Sequence, residues 1–315
     1  MNDSPLIETT ELTRYFDEVR AVDCLSIQVY PGEVFGLLGH NGAGKTTTVR
    51  LLNGLLKPTE GAARVMGQDP FDRGTSVRAQ TGVLTETPSL DERLTGRENL
   101  AIFADLYQVR ESRAASRVDE LLDTFGLAAR GDDLVGEYSR GMKQRLALAR
   151  TLLHQPEILF LDEPTSGLDP VSSRRVQDMI AGLSESGKTV VLCTHNLEEA
   201  QRLCHRVAVL RQGTLIALGT PEELAEKISE QLQLVIEVAP ENEAEARKRI
   251  TQGGWKVVDQ KQPGTLKIKG ASRDRIPELV RDFARSAIDV YQIVTAQPTL
   301  EDVYFALHAD EEVSP

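Results

Sequence analysis

The run Gly39-His40-Asn41-Gly42-Ala43-Gly44-Lys45-Thr46-Thr47 holds the residue types needed to grip a polyphosphate. It fits the spacing of glycine, four residues, then Gly-Lys-Thr, and each type has a physical task. Gly42 and Gly44 have no Cβ, so the backbone can take positive φ and come close to phosphate oxygens. Inward-facing amides and the start of a helix add partial positive charge. Lys45 supplies a full charge for the terminal phosphates, and the Thr46 hydroxyl is a hard oxygen ligand of the kind Mg²⁺ prefers.

Two further groups could act on such a ligand. Ile158-Leu159-Phe160-Leu161 reads as a strand buried on both faces, and it ends in Asp162-Glu163. Carboxylates at the C-terminal end of a parallel strand lie where α/β sheets bind ligands. Asp162 is thereby aimed at the metal, and Glu163 is left to polarise a water. Thr189 to Cys193 reads as a second buried strand, ending in Thr194-His195, which places His195 for phosphate contact. Tyr138-Ser139-Arg140-Gly141-Met142 opens an amphipathic helix, and small residues there can present amides to an anion or simply cap. Tyr15, near the end of the first strand, could stack on a base or fill the core.

These residues need a sheet to hold them. The spacing predicts two antiparallel strands before the loop (Leu6 to Tyr15, then Leu25, Ile27 and Val29), short strands at Ala62 to Met66 and Gly82 to Leu84, and a helix over Arg174 to Ser184. Roughly Asp91 to Arg140 reads as a helical insertion, opened by the capping box Thr95-Gly96-Arg97-Glu98. After Thr220-Pro221-Glu222-Glu223, the pattern becomes β-α-β-β-α-β from Leu232 to Thr295, followed by a tail helix with Leu300, Val303 and Leu307. That order predicts a small ferredoxin-like α+β unit without phosphate loop, metal cluster or nucleophile. The expected domains are 5–228 and 229–315.

Composition excludes several classes. The 36 basic and 48 acidic residues leave a charge of −12, which argues against a broad nucleic-acid footprint. Cys24, Cys193 and Cys204 lack metal-ligand spacing, no secretion signal is apparent, and no apolar run reaches the roughly 20 residues that span a bilayer. The expectation is a cytoplasmic protein with free thiols, whose membrane work is done through another polypeptide.

Taken together, the motifs resemble the ATP-binding subunits of ABC transporters over roughly residues 6–228. The resemblance implies a cassette fold that pairs a P-loop core with an antiparallel β subdomain and a helical insertion. It also implies ATP and Mg²⁺ as ligands. Tyr15 takes the place of the ring that stacks on adenine, Thr46 and Asp162 those of metal ligands, Glu163 that of the catalytic base, and His195 that of the switch histidine. Ser166 to Asp169 match the loop that communicates across a dimer. Ser139, Arg140, Gly141 and Met142 match the signature that contacts the partner copy's ATP, with Arg140 in place of the family's first glycine. Glu86 stands where the family has a metal-contacting glutamine. The C-terminal unit looks like an accessory domain of exporters with a separate permease. The resulting expectation is a homodimer, or a pair with a closely related ATPase subunit, on the inner face of the membrane. It would drive an integral-membrane permease, with export favoured over import. The alternative is a soluble ATPase of the same type that remodels a ribosome or DNA complex.

Overall fold

The computed structural model describes residues 4–228, 232–258, 263–271, 273–296 and Leu300. The chain divides into two compact units between Thr220 and Pro221. The sequence reading placed the division after residue 228, at the end of the helix that opens the second unit.

The first unit runs β1 (Ile7–Phe16), β2 (Val19–Leu25), β3 (Gln28–Val29), β4 (Val34–Leu38), α1 (Lys45–Leu52), β5 (Glu60–Val65), α2 (Gly74–Arg78) and β6 (Thr81–Leu84). The helical insertion follows as α3 (Gly96–Leu106) and α4 (Glu111–Thr124), and then α5 (Arg140–Thr151). The chain returns to the sheet with β7 (Ile158–Asp162), α6 (Pro170–Glu185), β8 (Thr189–Thr194), α7 (Leu197–Leu203), β9 (Arg206–Arg211) and β10 (Thr214–Gly219).

Its sheet has the order β3-β1-β2-β10-β9-β4-β8-β7-β6, with β5 paired to β1. From β9 through β4, β8 and β7 to β6 every pairing is parallel. Every residue of β4, β7 and β8 is buried, as expected of parallel strands covered on both faces. Because these strands run the same way, their C-terminal ends gather at one edge. The register brings Leu38 beside Thr194, Asp162 beside Cys193 and Leu84 beside Leu161. The loops carrying Lys45, Glu163, His195 and Glu86 therefore emerge side by side.

The antiparallel part differs from the expectation in detail. Leu25, Ile27 and Val29 are buried alternately, yet the chain breaks after Leu25, and Val29 belongs to the separate two-residue strand β3. The hairpin of β9 and β10 was not foreseen. Its signal was present: Val207 to Leu210 is an apolar run, and Gln212 and Gly213 both take positive φ (49° and 84°), the conformation of a tight hairpin turn.

The second unit contains α8 (Pro221–Ile228), β11 (Leu232–Val238), α9 (Glu243–Gln252), β12 (Lys256–Val258), β13 (Thr265–Ala271), α10 (Ile276–Arg285) and β14 (Val290–Ala296). Its antiparallel sheet has the order β12-β13-β11-β14. Alternating Leu234, Ile236 and Val238 pack with Ile250, Trp255, Leu279 and Phe283 in a core of their own. The expected tail helix, with Val303 and Leu307, lies outside the described residues apart from Leu300.

Candidate nucleotide site

The turn from β4 into α1 is built from glycine conformations. Gly42 and Gly44 have φ of 85° and 101°, as their predicted role requires. Gly44 is also the N-cap of α1, and a Cβ there would stand 2.4 Å from the Ala21 carbonyl oxygen, so no other residue fits. Lys45 is buried at the first position of α1. Its Nζ donates to the carbonyl oxygens of Gly39 (2.6 Å) and His40 (3.3 Å) and stands 3.2 Å from Glu163 Oε1.

The next residue links the loop to the strand end. Thr46 Oγ1 donates to Asp162 Oδ2 at 2.7 Å, joining two expected metal ligands directly. Burial pushes the Asp162 carboxyl above its ordinary value; the Thr46 bond lowers it, the Glu163 charge raises it, Lys45 opposes and Glu86 adds to the rise. Glu163 follows with φ of 50°, a left-handed conformation that costs a non-glycine residue about 1–3 kcal/mol. Its amide is anchored to the Cys193 carbonyl at 2.9 Å. Its Oε2 pairs with His195 Nδ1 at 2.8 Å, while buried Oε1 has no hydrogen-bond partner among the described residues. A carboxylate only accepts, so His195 Nδ1–H is the donor of this pair.

A cavity of about 680 Å³ opens over these residues. His40, Asn41, Gly42, Gly44, Lys45, Thr46 and Thr47 form its floor, with Asp162, Glu163 and exposed Glu86 beside them. Gly39 and Ala43 are buried behind the floor. His195 reaches the site through Glu163 and does not line the cavity.

One expectation needs correction. The ring on the cavity wall is Phe16, not Tyr15, and it is joined there by Val19, Arg20, Ala21 and Gln212. Neighbouring residues of a strand face opposite ways. The irregular register between Arg14 and Tyr15 re-aims this end of β1, and the Arg20 guanidinium covers the Tyr15 ring at 5.1 Å.

Ser139, Arg140, Gly141, Met142 and Asp169 do not line this cavity. Ser139 N-caps α5, accepting from the Met142 amide, and Asp169 N-caps α6, accepting from Val171 and Ser172 at 3.0 Å each. These elements pack closely: a Cβ on Gly141 would stand 2.6 Å from Ser172 Oγ, and one on Gly167 2.3 Å from the Arg140 guanidinium. The substituted signature residue thus lies against the loop before α6.

Sequence reasoning also missed Glu199. This buried carboxylate on α7 accepts from Thr165 Oγ1 (2.8 Å) and Thr194 Oγ1 (2.7 Å), tying the loop after Glu163 to the residue before His195. The signal available was Asn196, whose side chain caps the helix by accepting from the Glu199 amide.

A glycine loop with lysine, a Thr–Asp pair and a carboxylate–histidine pair, all at the C-terminal edge of a parallel sheet, define a phosphate-loop nucleoside triphosphatase. The sequence pattern of the ABC transporter family matches residues 22–166. The daunorubicin/doxorubicin resistance ATP-binding protein DrrA of Streptomyces peucetius is 38% identical over 98% of this chain and 94% of its own length. The bacitracin transport ATP-binding protein BcrA of Bacillus licheniformis is 34% identical over 96% of this chain and 97% of its own. Among solved structures, an ATP-binding subunit of an ABC transporter aligns with a TM-score of 0.64 and 31% identity over 70% of this chain and 92% of its own. This chain belongs to the ATP-binding subunits of ABC transporters, the class that hydrolyses ATP to power transport. These relatives are named for resistance and transport, which removes support from the ribosome or DNA alternative.

Proposed function

We propose that the chain energises an exporter, as two copies that close on two ATP molecules and reopen on hydrolysis while driving a separately encoded integral-membrane permease. The observation that carries the reading is the convergence of Lys45, the Thr46–Asp162 pair and the Glu163–His195 pair at one sheet edge. Export is supported by relatives named for resistance and export; the Nod factor export ATP-binding protein I of Burkholderia pseudomallei is 43% identical over 70% of this chain and 72% of its own. Among the described residues no helix is long and apolar enough to cross a membrane, which supports a partner that does. Work at the inner membrane face follows from that partner.

In this reading Lys45 and the loop amides bind the ATP phosphates, and Glu163 takes a proton from the attacking water. His195 holds Oε2 of that base through Nδ1, and Oε1 lies beside Lys45 Nζ at 3.2 Å. Oxygen ligands suit Mg²⁺, and Thr46 and Asp162 would hold it with Glu86 at the rim; the ion would neutralise phosphate charge. Ser139 and Gly141 would face the other copy's ATP, with Arg140 and Asp169 holding the signature helix and the dimer loop in place.

The test is Glu163→Gln beside Lys45→Ala. The first should bind ATP, lose about 10²–10⁴ in turnover and run as a dimer in size-exclusion chromatography with MgATP. The second should bind no ATP and stay monomeric. Hydrolysis by Glu163→Gln at the unmutated rate would remove Glu163 as the base.

A further inference from the structure

The second unit holds a cavity of about 430 Å³, within the size range of small-molecule sites. It lies between the end of α9, the Gly253 to Trp255 turn and α10, and four arginines line it: Arg249, Arg275, Arg281 and Arg285. Helical spacing explains the arrangement. Leu279 and Phe283 of α10 are buried, while Glu278, Arg281, Asp282 and Arg285 recur at i, i+3, i+4 and i+7 along the cavity side.

The charges do not cancel. Asp282 is met by Arg249 at 3.3 Å, and Arg249 is shared with Glu245, which Lys248 also approaches at 3.7 Å. Glu278 is met by Arg275 at 4.0 Å, and Arg275 also donates to the Gly253 carbonyl at 2.8 Å. Arg281 and Arg285 form no ion pair among the described residues. The partial negative charge at the end of α10 accounts for a cation at Arg285. Arg281, one turn back, sits three residues after Glu278 and four before Arg285, so one helix neighbour attracts it and the other repels it. Two exposed guanidinium groups without an ion pair among the described residues thus face one concavity in a chain of net charge −12. Trp255 on the same wall is covered by the Arg275 guanidinium at 5.0 Å, and its buried indole Nε1 has no hydrogen-bond partner among the described residues.

We propose that this cavity binds a dianionic phosphate monoester, with Arg281 and Arg285 as its charge partners. The guanidinium fork matches phosphate oxygens, and two cations match the charge of a dianion. The phosphate could belong to a soluble metabolite or to a phosphatidic acid headgroup.

Trp255 is the only tryptophan of the chain, so its fluorescence reports on this wall alone. Full-length protein carrying Lys45→Ala, which disables the phosphate loop, is titrated with glycerol 3-phosphate and, at matched ionic strength, with glycerol. It is also titrated with phosphatidylcholine vesicles with and without phosphatidic acid. The expected result is a saturable change with the phosphate-bearing probe, soluble or vesicular, and none with its control. Arg281→Gln with Arg285→Gln should weaken it by roughly tenfold or more at unchanged melting temperature, since hydrogen bonds to charged groups carry about that much each. Lysine at both positions should retain part of the response. A response to glycerol 3-phosphate identifies a soluble ligand; a response to phosphatidic acid alone identifies the lipid. Silence with both, or a response unaltered by the glutamine variants, overturns the proposal.

Discussion

Residues 15 and 16 show how one backbone position decides chemistry. Both are aromatic, so sequence offers two rings for a nucleotide base, and only Phe16 lines the cavity. Base stacking on an aromatic ring contributes about 1–3 kcal/mol by alanine substitution, or roughly 5–150-fold in affinity. Phe16→Ala should therefore weaken ATP binding by that order, while Tyr15→Ala should leave it near normal. Titration of both variants with a fluorescent ATP analogue checks this, and the reverse ranking would restore Tyr15 as the stacking ring. Glu163 makes a related point: its left-handed φ is a cost accepted to turn the carboxylate out of the strand toward Lys45 and His195.

At the level of elements, the site depends on α7 as much as on the loops that carry its residues. Glu199 holds the ends of β7 and β8 together through two hydroxyls, and burial raises its pKa above the ordinary 4.5, against the lowering effect of those bonds. The sign follows from linkage. A carboxylate with a raised folded pKa contributes stability that is fully present below the unfolded value and is lost as pH rises through the folded one. Asp162 is raised as well, from 3.8, and contributes in the same direction. Glu199→Gln removes one of these two losses. Its melting temperature should fall less than that of the unmutated protein between acid and neutral pH, and parallel profiles from thermal melts would contradict this. Glu199→Ala should instead destabilise by about 1–3 kcal/mol for each buried hydroxyl left without its acceptor.

On the scale of the whole molecule, every residue of the nucleotide site lies before Thr220, and the second unit has its own sheet and core. A chain ended at Thr220 should keep ATP affinity near normal while losing part of its assembly with the other copy or the permease. Isothermal titration of the shortened protein measures the first, and a comparable loss of affinity in a folded fragment would refute the separation. Sequence alone determined the phosphate loop, the carboxylates where β7 ends, His195 and the βαββαβ order of the second unit. Those signals are local: glycine spacing, unbroken apolar runs and helical periodicity depend on a few successive residues. Tertiary structure alone decided that Phe16 and not Tyr15 lines the cavity, that Glu199 joins two strands, that Arg140 lies on Gly167, and that the arginines of α10 share a cavity with Trp255. Each of these joins segments, or turns one side chain rather than its neighbour, through strand register and close packing, which no short stretch of sequence encodes.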